Sequence, residues 1–426
     1  MNWWRRLATS RLLDVGAVVV TLLLLSRWAV VLPTRWNDYD FNHYYVGSRM
    51  LLERQNPYTT SLKGMSQALG FTFTEQLPVA CYPPSFLRLF MPLAALPPRV
   101  AFAVWVSVEF GCLILILWLT CRLLGERLSA RACLFVAALT ITSRTVTYHL
   151  LFSQVQLLLA ALVLAGYAAQ RAGKHGWACL AVSTAGILKF YPFVLLPWFI
   201  WSGSGGMRVR LCRVLGVIGF VLAVVALTGP TLWCDFIHHG IPVAVGEGIG
   251  RTFNFSLPAL VTNLGYARHD FHPSPNARQW WWTIGTITGL AVMASAYRVC
   301  AVARRDAEGQ FCLLCVAMLI GTFTVQGHYF IFLVLPLTVA TIRIAARPTP
   351  ALVIGFILVM LAVNWINPPD FLWRHSIWYI FGNDIPLYGL IGLAAFFWRE
   401  LTSGPVGCER CTESDGTIAG GNPMGN

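Results

Sequence analysis

The chain has 426 residues, of which 57% are hydrophobic and only 12% are charged. A soluble globular chain carries about twice that charged fraction, so the composition excludes a soluble protein and, with apolar runs along the whole length, predicts a polytopic membrane protein. The formal net charge of +13 does not indicate a nucleic-acid partner, because many Lys and Arg residues flank the apolar runs, as topology signals and lipid contacts do.

About a dozen apolar segments are predicted to lie in the membrane, and several are shorter than the roughly 20 residues of an upright span. They lie near residues 13–32, 100–121, 131–148, 152–170, 176–190, 191–202, 213–229, 279–297, 309–325, 329–345, 350–367 and 385–399. The runs are continuous rather than alternating, which favours helices over a closed barrel. The segments 176–190 and 191–202 are interrupted by the letters KFYP and are expected to form two half-spans or a re-entrant pair.

These segments predict an all-α polytopic protein with roughly 10–13 transmembrane helices and further helices at the external interface. Residues 1–400 are expected to form one transmembrane domain, and residues 401–426 a disordered cytoplasmic tail. The N-terminal letters MNWWRRLATSRLL could begin a signal peptide, but no convincing small-residue cleavage site follows. The first segment is therefore expected to remain as a membrane helix.

Short basic loops orient the predicted segments. The positive-inside rule places these loops on the cytoplasmic side. Their basic residues are Arg5, Arg6, Arg11, Arg122, Arg127, Arg131, Arg171, Lys174, Arg208, Arg210, Arg213, Arg298, Arg304, Arg305, Arg343 and Arg347. The polar and aromatic residues then collect on the non-cytoplasmic side, and the short cytoplasmic loops contain no Gly-rich phosphate-binding loop.

The first polar stretch, WNDYDFNHYYVGSRMLLERQNPY at 36–58, places Asp38 and Asp40 among aromatic residues directly after the first apolar segment. A short helix is predicted to follow and to end before Pro57. Either acid can cap the N-terminus of that helix by accepting backbone N–H bonds. Either acid can also serve as a general base at the membrane surface, and the two acids can divide these roles.

Further polar residues lie at the external ends of later apolar runs. Tyr82 begins a Tyr-Pro-Pro element, which is stiff and extended and serves either as a rigid connector or in chemistry. Gln154 and Gln156 open an apolar segment, where amide side chains find partners or line a cavity. Lys189 either extends its ammonium group to the interface or binds an anion.

The second half of the chain adds fewer such residues. Arg251 and Asn254 precede a short apolar piece, and His328 lies in a tight turn between two segments, where a structural role is the alternative to a chemical one. Glu109 is an acid inside the second segment and is expected to pair with a lysine or arginine, or to mark a pathway. Most cysteines lie in apolar runs as small hydrophobes, and the single C-x-x-C of the tail cannot complete a zinc site.

The order of these elements resembles glycosyltransferase family 87, the polyprenyl-phosphate-hexose-dependent, mannosyltransferase-like membrane proteins of the GT-C fold class. The resemblance runs from about residue 36 to about residue 340 and is carried by DFNHYYVGSRMLLERQNPY with Asp40 in the acid position, Tyr82–Pro84, SQVQ at 153–156, Lys189–Pro192 and His328. The chain departs from the family pattern where Ser153 and Gln156 replace Gly and Asn, and where Arg54-Gln55 replaces the usual Gly before Asn-Pro-Tyr. These departures bear on the sugar more than on the class.

The resemblance implies transfer of a hexose, mannose foremost, from a polyprenyl-phosphate sugar to a lipid or glycan acceptor. The transfer would invert the anomeric carbon at the non-cytoplasmic face of the cell membrane. Asp40 would then be the general base and His328 a second catalytic residue. The residues expected to bind substrate are Asp38, Tyr44, Tyr82, Gln154, Gln156, Lys189, Arg251 and Asn254.

Three cationic or polar donors and two aromatic rings have more specific expected roles in this scheme. Lys189, Arg251 and His328 are candidates to stabilise the leaving phosphate. Tyr44 and Trp36 suit stacking on sugar faces. No metal or other cofactor is expected, although Asp38 and Asp40 together could hold one.

The alternative function is a transporter or flippase, which would also use many helices and intramembrane polar residues; a scaffold of an envelope assembly is a third possibility. No repeated halves with matching broken helices are evident in the sequence. Polar residues also cluster on one side, whereas a transporter should show them reaching both sides. The sequence therefore favours catalysis at one membrane face.

Overall fold

The computed structural model describes residues 11–37, 39–71, 78–203, 205–243, 254–267, 274–303, 306–364 and 377–403. Within these ranges the regular structure is helical and no strand occurs, so the prediction of an all-α protein is confirmed. The predicted tail, including its C-x-x-C, falls almost entirely on residues 404–426, which lie outside the described ranges.

The regular structure of the described ranges consists of a succession of α-helices. In chain order they are α1 (Arg11–Val31), α2 (Tyr39–Leu52), α3 (Lys63–Ala68), α4 (Pro84–Ala94), α5 (Pro98–Leu124), α6 (Ala130–Thr142), α7 (Arg144–Phe152), α8 (Gln156–Arg171), α9 (His175–Leu188), α10 (Leu196–Trp201), α11 (Met207–Thr228), α12 (Pro230–Asp235), α13 (Leu257–Ala267), α14 (Pro275–Val302), α15 (Ala307–Gly321), α16 (Val334–Ala346), α17 (Pro350–Asn364), α18 (Ile377–Asn383) and α19 (Ile385–Thr402). Short 3-10 helices cover Leu32–Thr34, Gly125–Arg127, Tyr191–Leu195 and Gly327–Leu333.

Several of these helices are long and apolar enough to cross a membrane, as the prediction of a polytopic membrane protein requires. Five spans meet that description in the part of the chain that the structure describes, namely Asp14–Val31, Pro98–Arg127, Met207–Thr228, Pro275–Val302 and Gly327–Ala346. The helices α6 and α7 meet the same description only when taken together, and they are bent by 49° relative to each other, as in a broken span or a re-entrant loop. Shorter apolar helices cover His175–Leu188, Tyr191–Trp201, Ala307–Gly321 and Pro350–Asn364.

Two segment boundaries differ from the sequence-based ones. The expected segment 131–148 is broken at Ser143, whose extended backbone ends α6 and whose Oγ accepts from the Val146 N–H to cap α7. The expected segment 152–170 begins only at Gln156, because Ser153 adopts a left-handed conformation with φ 48° and ends α7. Serine side chains offer such local bonds to the backbone, which compete with helix continuation.

The core of the helix bundle lies around α15. Every residue from Glu308 to Ile320 is buried, and α15 packs against α14, α16 and α19. A helix that is apolar on all sides suits such a position. By contrast, only 6% of the apolar window of α1 and 11% of that of α11 are buried, so these two helices present most of their surface to lipid.

A cluster of charged pairs joins the helices at the end of the bundle where the basic loops gather. Arg127 donates two hydrogen bonds to Glu308, of 2.9 and 2.5 Å, and Arg343 donates two to Asp306, of 2.7 and 2.9 Å. The pairs join the turn after α5, the start of α15 and the end of α16. Arg127 and Arg343, two of the basic residues expected on one side of the membrane, therefore lie close together.

Asp306 is the residue of this cluster whose loss we expect to affect stability most. Its carboxylate caps α15 by accepting from the Gly309 N–H at 2.8 Å. Burial alone would raise the pKa of Asp306, but the hydrogen bonds from Arg343 and Gly309 hold it below its ordinary value. We expect Asp306→Ala to lower the free energy of unfolding by about 1–3 kcal/mol, since bonds to a charged group are lost.

Thermal unfolding of the purified chain in detergent measures this effect. Because the folded pKa is lowered, the stabilisation is fully present above the ordinary carboxyl pKa of 3.8 and is lost as the pH falls through the lower folded value. The control is Glu53→Ala, which breaks an exposed pair with Arg49 and should change little. Equal melting temperatures for the two variants would contradict the assignment.

Candidate functional site

The Asp40 carboxylate lies where three separate stretches of the chain meet. Its Oδ1 accepts from the Tyr82 hydroxyl at 3.0 Å, and its Oδ2 accepts from the Gln154 side-chain amide. Asp40 is the second residue of α2, which begins at Tyr39, so it does not precede the helix as an N-cap residue does. It remains partly exposed. Two fixed donors therefore hold a carboxylate that solvent or substrate can reach.

Tyr82, the first residue of the Tyr-Pro-Pro element, organises this site. The Tyr58 hydroxyl donates to the Tyr82 carbonyl at 2.7 Å, and the Tyr44 hydroxyl donates to the Tyr82 hydroxyl at 3.3 Å. Burial and the nearby Asp40 carboxylate raise the pKa of Tyr82 well above its ordinary value. The phenol thus stays protonated and donates to Asp40. The bonds from Tyr58 and to Asp40 fit the interpretation of this element as a rigid connector, and a chemical role for Tyr82 stays a prediction.

Tyr44, which the sequence suggested for stacking on a sugar face, lies inside a cluster of aromatic rings, and its contact with a sugar stays a prediction. Its side chain is fully buried and packs edge-on against the rings of Tyr82, Phe86 and Trp105, with centroids 4.6, 4.8 and 6.1 Å away. The cluster forms because α2 and α4 approach closely at this end. Tyr44 therefore supports Tyr82 from behind.

The two glutamines of the SQVQ stretch have different environments. Gln154 follows the left-handed Ser153, whose carbonyl accepts from the Trp105 indole at 3.3 Å, and this turn directs the Gln154 amide towards Asp40. Gln156 begins α8, is fully buried, and its amide nitrogen and oxygen have no partner among the described residues. Buried amides of this kind normally have partners, so Gln156 has hydrogen-bonding capacity left for a ligand.

Lys189 lies at the break between α9 and the 3-10 helix Tyr191–Leu195, as the expected half-spans require. Its Nζ is 5.3 Å from the Tyr82 ring centroid and 5.0 Å from that of Tyr329. The break is possible because Gly186 lets the following turn fold back: a Cβ at Gly186 would lie 2.5 Å from the Phe193 ring. No carboxylate lies within ion-pair distance of Lys189 in the described ranges, so this cation faces aromatic rings without an anion.

The α4 helix is joined directly to the helix that carries Lys189. The Ser85 hydroxyl donates to the Ile187 carbonyl at 2.5 Å. This bond fixes the distance between the Tyr-Pro-Pro element and the end of α9. Consequently, Tyr82 touches Asp40 through its hydroxyl and Lys189 through its ring.

Histidines and an acid complete the buried side of the site. His328 is 1% exposed, its ring lies 4.9 Å from that of Tyr329, and Lys189 and His149 are both within electrostatic range of it. The His149 Nε2 lies 3.1 Å from Glu109 Oε1, and both side chains are buried. Glu109 thus pairs with a histidine and not with the lysine or arginine expected from the sequence.

Asn254 lies apart from Asp40 and holds the backbone that leads to His328. Its amide donates to the Phe323 carbonyl at 2.6 Å and its Oδ1 accepts from the Val325 N–H at 2.8 Å. These bonds give Asn254 a positioning role, and the substrate contact expected from the sequence stays a prediction. Two other expected binding residues, Asp38 and Arg251, lie outside the described residues.

Sequence reasoning did not connect the Glu109–His149 pair to the site. Each residue is detectable as a polar side chain in an apolar run, but 40 positions separate them, and no local pattern shows that they meet. Tyr329 contacts Lys189, and Tyr58 bonds Tyr82. Nothing in the sequence around these two tyrosines indicated that they belong to the site.

In the described part of the chain, no group of three or more His, Cys, Asp or Glu side chains could hold a metal ion. The expectation of metal-free chemistry stays a prediction, because Asp38 is not among these residues.

The arrangement brings a carboxylate and a lysine ammonium group against the same tyrosine, Tyr82. The Asp40 carboxylate is held by neutral donors and can accept a proton. Lys189, with the His328 imidazole beside it, can bind a negative group. Such a pair can remove a proton from a nucleophile and stabilise an anionic leaving group.

A family model described as glycosyltransferase family 87 matches residues 80–336. The matched range begins just before Tyr82 and includes Gln154, Lys189 and His328, whereas Asp40 precedes it. No curated protein matches the chain.

Proposed function

Because the chain belongs to glycosyltransferase family 87, we propose that it transfers a hexosyl group, with mannose as the first candidate, from a polyprenyl-phosphate sugar to a lipid or glycan acceptor. Membership of the family makes it a membrane glycosyltransferase and disfavours the transporter interpretation. The donor, the acceptor, the GT-C type of fold and the residue roles below are our proposal.

One observation carries the proposal most directly: Tyr82 contacts both the proton acceptor and the free cation. Its hydroxyl bonds the Asp40 carboxylate, and its ring lies against the Lys189 ammonium. A transferase with a phosphate leaving group needs a base for the acceptor and a cation for the phosphate, a few ångströms apart. Asp40 and Lys189, to which we assign these two roles, both contact the buried Tyr82 side chain, and this supports the proposal.

The proposed reaction is a single displacement. Asp40 takes the proton from an acceptor hydroxyl as that oxygen attacks the anomeric carbon of the bound sugar. The bond between the anomeric carbon and the phosphate oxygen breaks, and its electron pair leaves with the polyprenyl phosphate. The attack from the opposite face inverts the anomeric configuration, and Asp40 later releases the proton to water.

The leaving phosphate would be stabilised by Lys189 and by an N–H of His328. Fixed donors in a dry site act strongly on charge that develops during the reaction. His328 has one ring nitrogen, Nδ1, without a partner among the described residues, so the imidazole retains hydrogen-bonding capacity. The buried Glu109–His149 pair lies near His328. It would help to hold the polar side chains of the site in position.

The membrane side of the site is also part of the proposal. The Asp40 site lies at the end of the bundle opposite the charged cluster of Arg127 and Arg343, which the positive-inside rule assigns to the cytoplasm. The site would then face the non-cytoplasmic side of the cell membrane. A lipid-linked donor suits this position, since its tail remains in the bilayer while its sugar reaches the interface.

Turnover of a lipid-linked sugar in vesicles tests the function. The full chain is reconstituted with radiolabelled polyprenyl-phosphate mannose, and glycolipids extracted from membranes serve as acceptors. We expect label to appear in a new glycoside, with one polyprenyl phosphate released per sugar transferred.

Two controls make the assay decisive. Vesicles without the chain should form no product, and a soluble nucleotide mannose should not replace the lipid-linked donor. Movement of the donor across the vesicle membrane without a new glycosidic bond would overturn the proposal in favour of transport. Equal turnover of a polyprenyl-phosphate glucose would still support a hexosyltransferase that uses a lipid-linked donor, but it would exclude specificity for mannose.

A further inference from the structure

One face of α5 contacts the turn between α7 and α8 at two points. The Trp105 indole N–H donates to the Ser153 carbonyl at 3.3 Å. Glu109 lies four residues further along α5, on the same face of the helix, and its Oε1 is 3.1 Å from the His149 Nε2. All four residues are buried. The turn is therefore attached to α5 by one indole hydrogen bond and by one carboxylate–imidazole pair.

His149 also closes this turn through its backbone. Its carbonyl accepts from the Ser153 N–H and, at 3.4 Å, from the Gln154 N–H. Ser153 has φ 48°, a left-handed conformation that is unfavourable for a residue with a Cβ. Such a conformation persists only where the surrounding structure holds it. The two contacts from α5 are part of that surrounding structure.

The position of the turn decides where the Gln154 amide lies. The Gln154 Nε2 donates to the Asp40 Oδ2, whereas the Gln154 Oε1 has no partner among the described residues. The amide group is thus held by Asp40 at one end and by its own backbone at the other. A shift of the turn away from α5 would move this donor relative to the carboxylate.

The same face of α5 supports the second donor to Asp40 through its aromatic ring. The Trp105 ring packs against the Tyr44 ring, with centroids 6.1 Å apart, and Tyr44 lies edge-on against Tyr82. Trp105 thus supports both donors to Asp40, whereas Glu109 bonds the side of the turn. A variant that keeps a ring at position 105 therefore affects the turn alone.

We propose that Glu109 and the Trp105 indole N–H are positioning groups, which hold the turn that aims the Gln154 amide at Asp40. This role rests on the proposed function of Asp40 as the base, but the geometry is independent of the substrate. An acid inside an apolar helix is costly, and this position gives it a bond that leads to the base. A role in packing alone would make the effects of Glu109 and Gln154 additive.

Glu109→Leu removes the bond to His149 and keeps a side chain of similar size in α5. We expect kcat for sugar transfer to fall about tenfold, because a small displacement of an orienting group slows the reacting step. KM for the lipid-linked donor should change by less than about twofold, since Lys189 lies at the end of a different helix. Glu109→Gln keeps a hydrogen-bonding group for His149 and should restore most of the lost kcat.

A double-mutant cycle with Gln154→Ala separates positioning from packing. In the Gln154→Ala background, Glu109→Leu should lower kcat by less than about twofold, because the donor that Glu109 aims is already absent. Melting temperatures of the same four proteins in detergent should show the same loss of additivity. Trp105→Phe removes only the indole N–H, keeps the ring and provides a second cycle in case Glu109→Leu does not fold.

Thr120→Val is the matched control for both cycles. Thr120 is a fully buried polar residue of α5, about 16 Å along the helix from Glu109. Its substitution should leave kcat unchanged, and its effect on the melting temperature should add to that of Gln154→Ala.

The outcomes separate this inference from the proposed function. Additive effects on both kcat and melting temperature would overturn it, as would a Glu109→Gln protein that is as impaired as Glu109→Leu. If the native chain transfers no sugar, the proposed function fails. The melting temperatures then decide by themselves whether Glu109 and Trp105 position Gln154.

Discussion

Asp40→Asn should abolish sugar transfer while leaving the protein folded. An amide cannot accept a proton at neutral pH, so the loss should be about 10²–10⁴-fold, the usual contribution of general acid–base catalysis. The structure explains why folding should survive. The Gln154 Oε1 has no partner among the described residues, so the Gln154 amide can turn over and accept from the substituted side chain.

The comparison that decides the role of Asp40 is activity against thermal stability. The control is Asp235→Asn, which changes a carboxylate on the same face that accepts from the Asn56 amide at 2.6 Å but does not contact Tyr82. That variant, and Asp38→Asn, should retain most activity. A stable Asp40→Asn protein with normal turnover would refute the base assignment and leave Asp40 with a structural role alone.

Lys189→Ala should be the second most damaging substitution, because it removes the cation at the proposed phosphate site. Charge-assisted bonds to an anion contribute about 1.5–3 kcal/mol, so we expect kcat/KM for the lipid-linked donor to fall by about 10–100-fold. Lys189→Arg should retain much of the activity, since the charge remains. Steady-state kinetics with varied donor and saturating acceptor measure both.

Lys63→Ala is the matched control, because Lys63 is an exposed lysine at the start of α3, on the same side as the site. It should leave kcat/KM unchanged. Normal donor use by purified Lys189→Ala protein would show that the lysine only extends its charge to the interface, as the alternative interpretation of the sequence holds.

Much of the candidate site could be recognised one residue at a time. Asp40, Gln154, Lys189 and His328 each stand out because a polar side chain at the end of an apolar run needs a solvent, a partner or a ligand. Their order along the chain matches the order of the motifs in the family that the chain resembles. What the sequence lacked was their mutual geometry: nothing local indicates that Gln154 bonds Asp40 across 114 positions.

The sequence was least informative where packing decides the environment of a side chain. Tyr44 was expected to face a sugar, yet the approach of α2 to α4 buries it completely. Asn254 was expected to bind substrate, yet its amide bonds the backbone at Phe323 and Val325. Glu109 was expected to pair with a lysine or arginine, and it pairs with His149.

By itself, the sequence determined that this is a membrane protein built of helices. Continuous apolar runs can satisfy their backbone hydrogen bonds in lipid only as helices, and the basic loops between the runs mark the ends of these helices. The tertiary structure alone decided how those helices break and meet. Ser143 bends one span since its side chain caps a new helix, and Tyr82 joins Asp40 to Lys189 since helix packing brings α4 against α9. Helix crossing depends on side-chain interdigitation between distant segments, which no local pattern encodes.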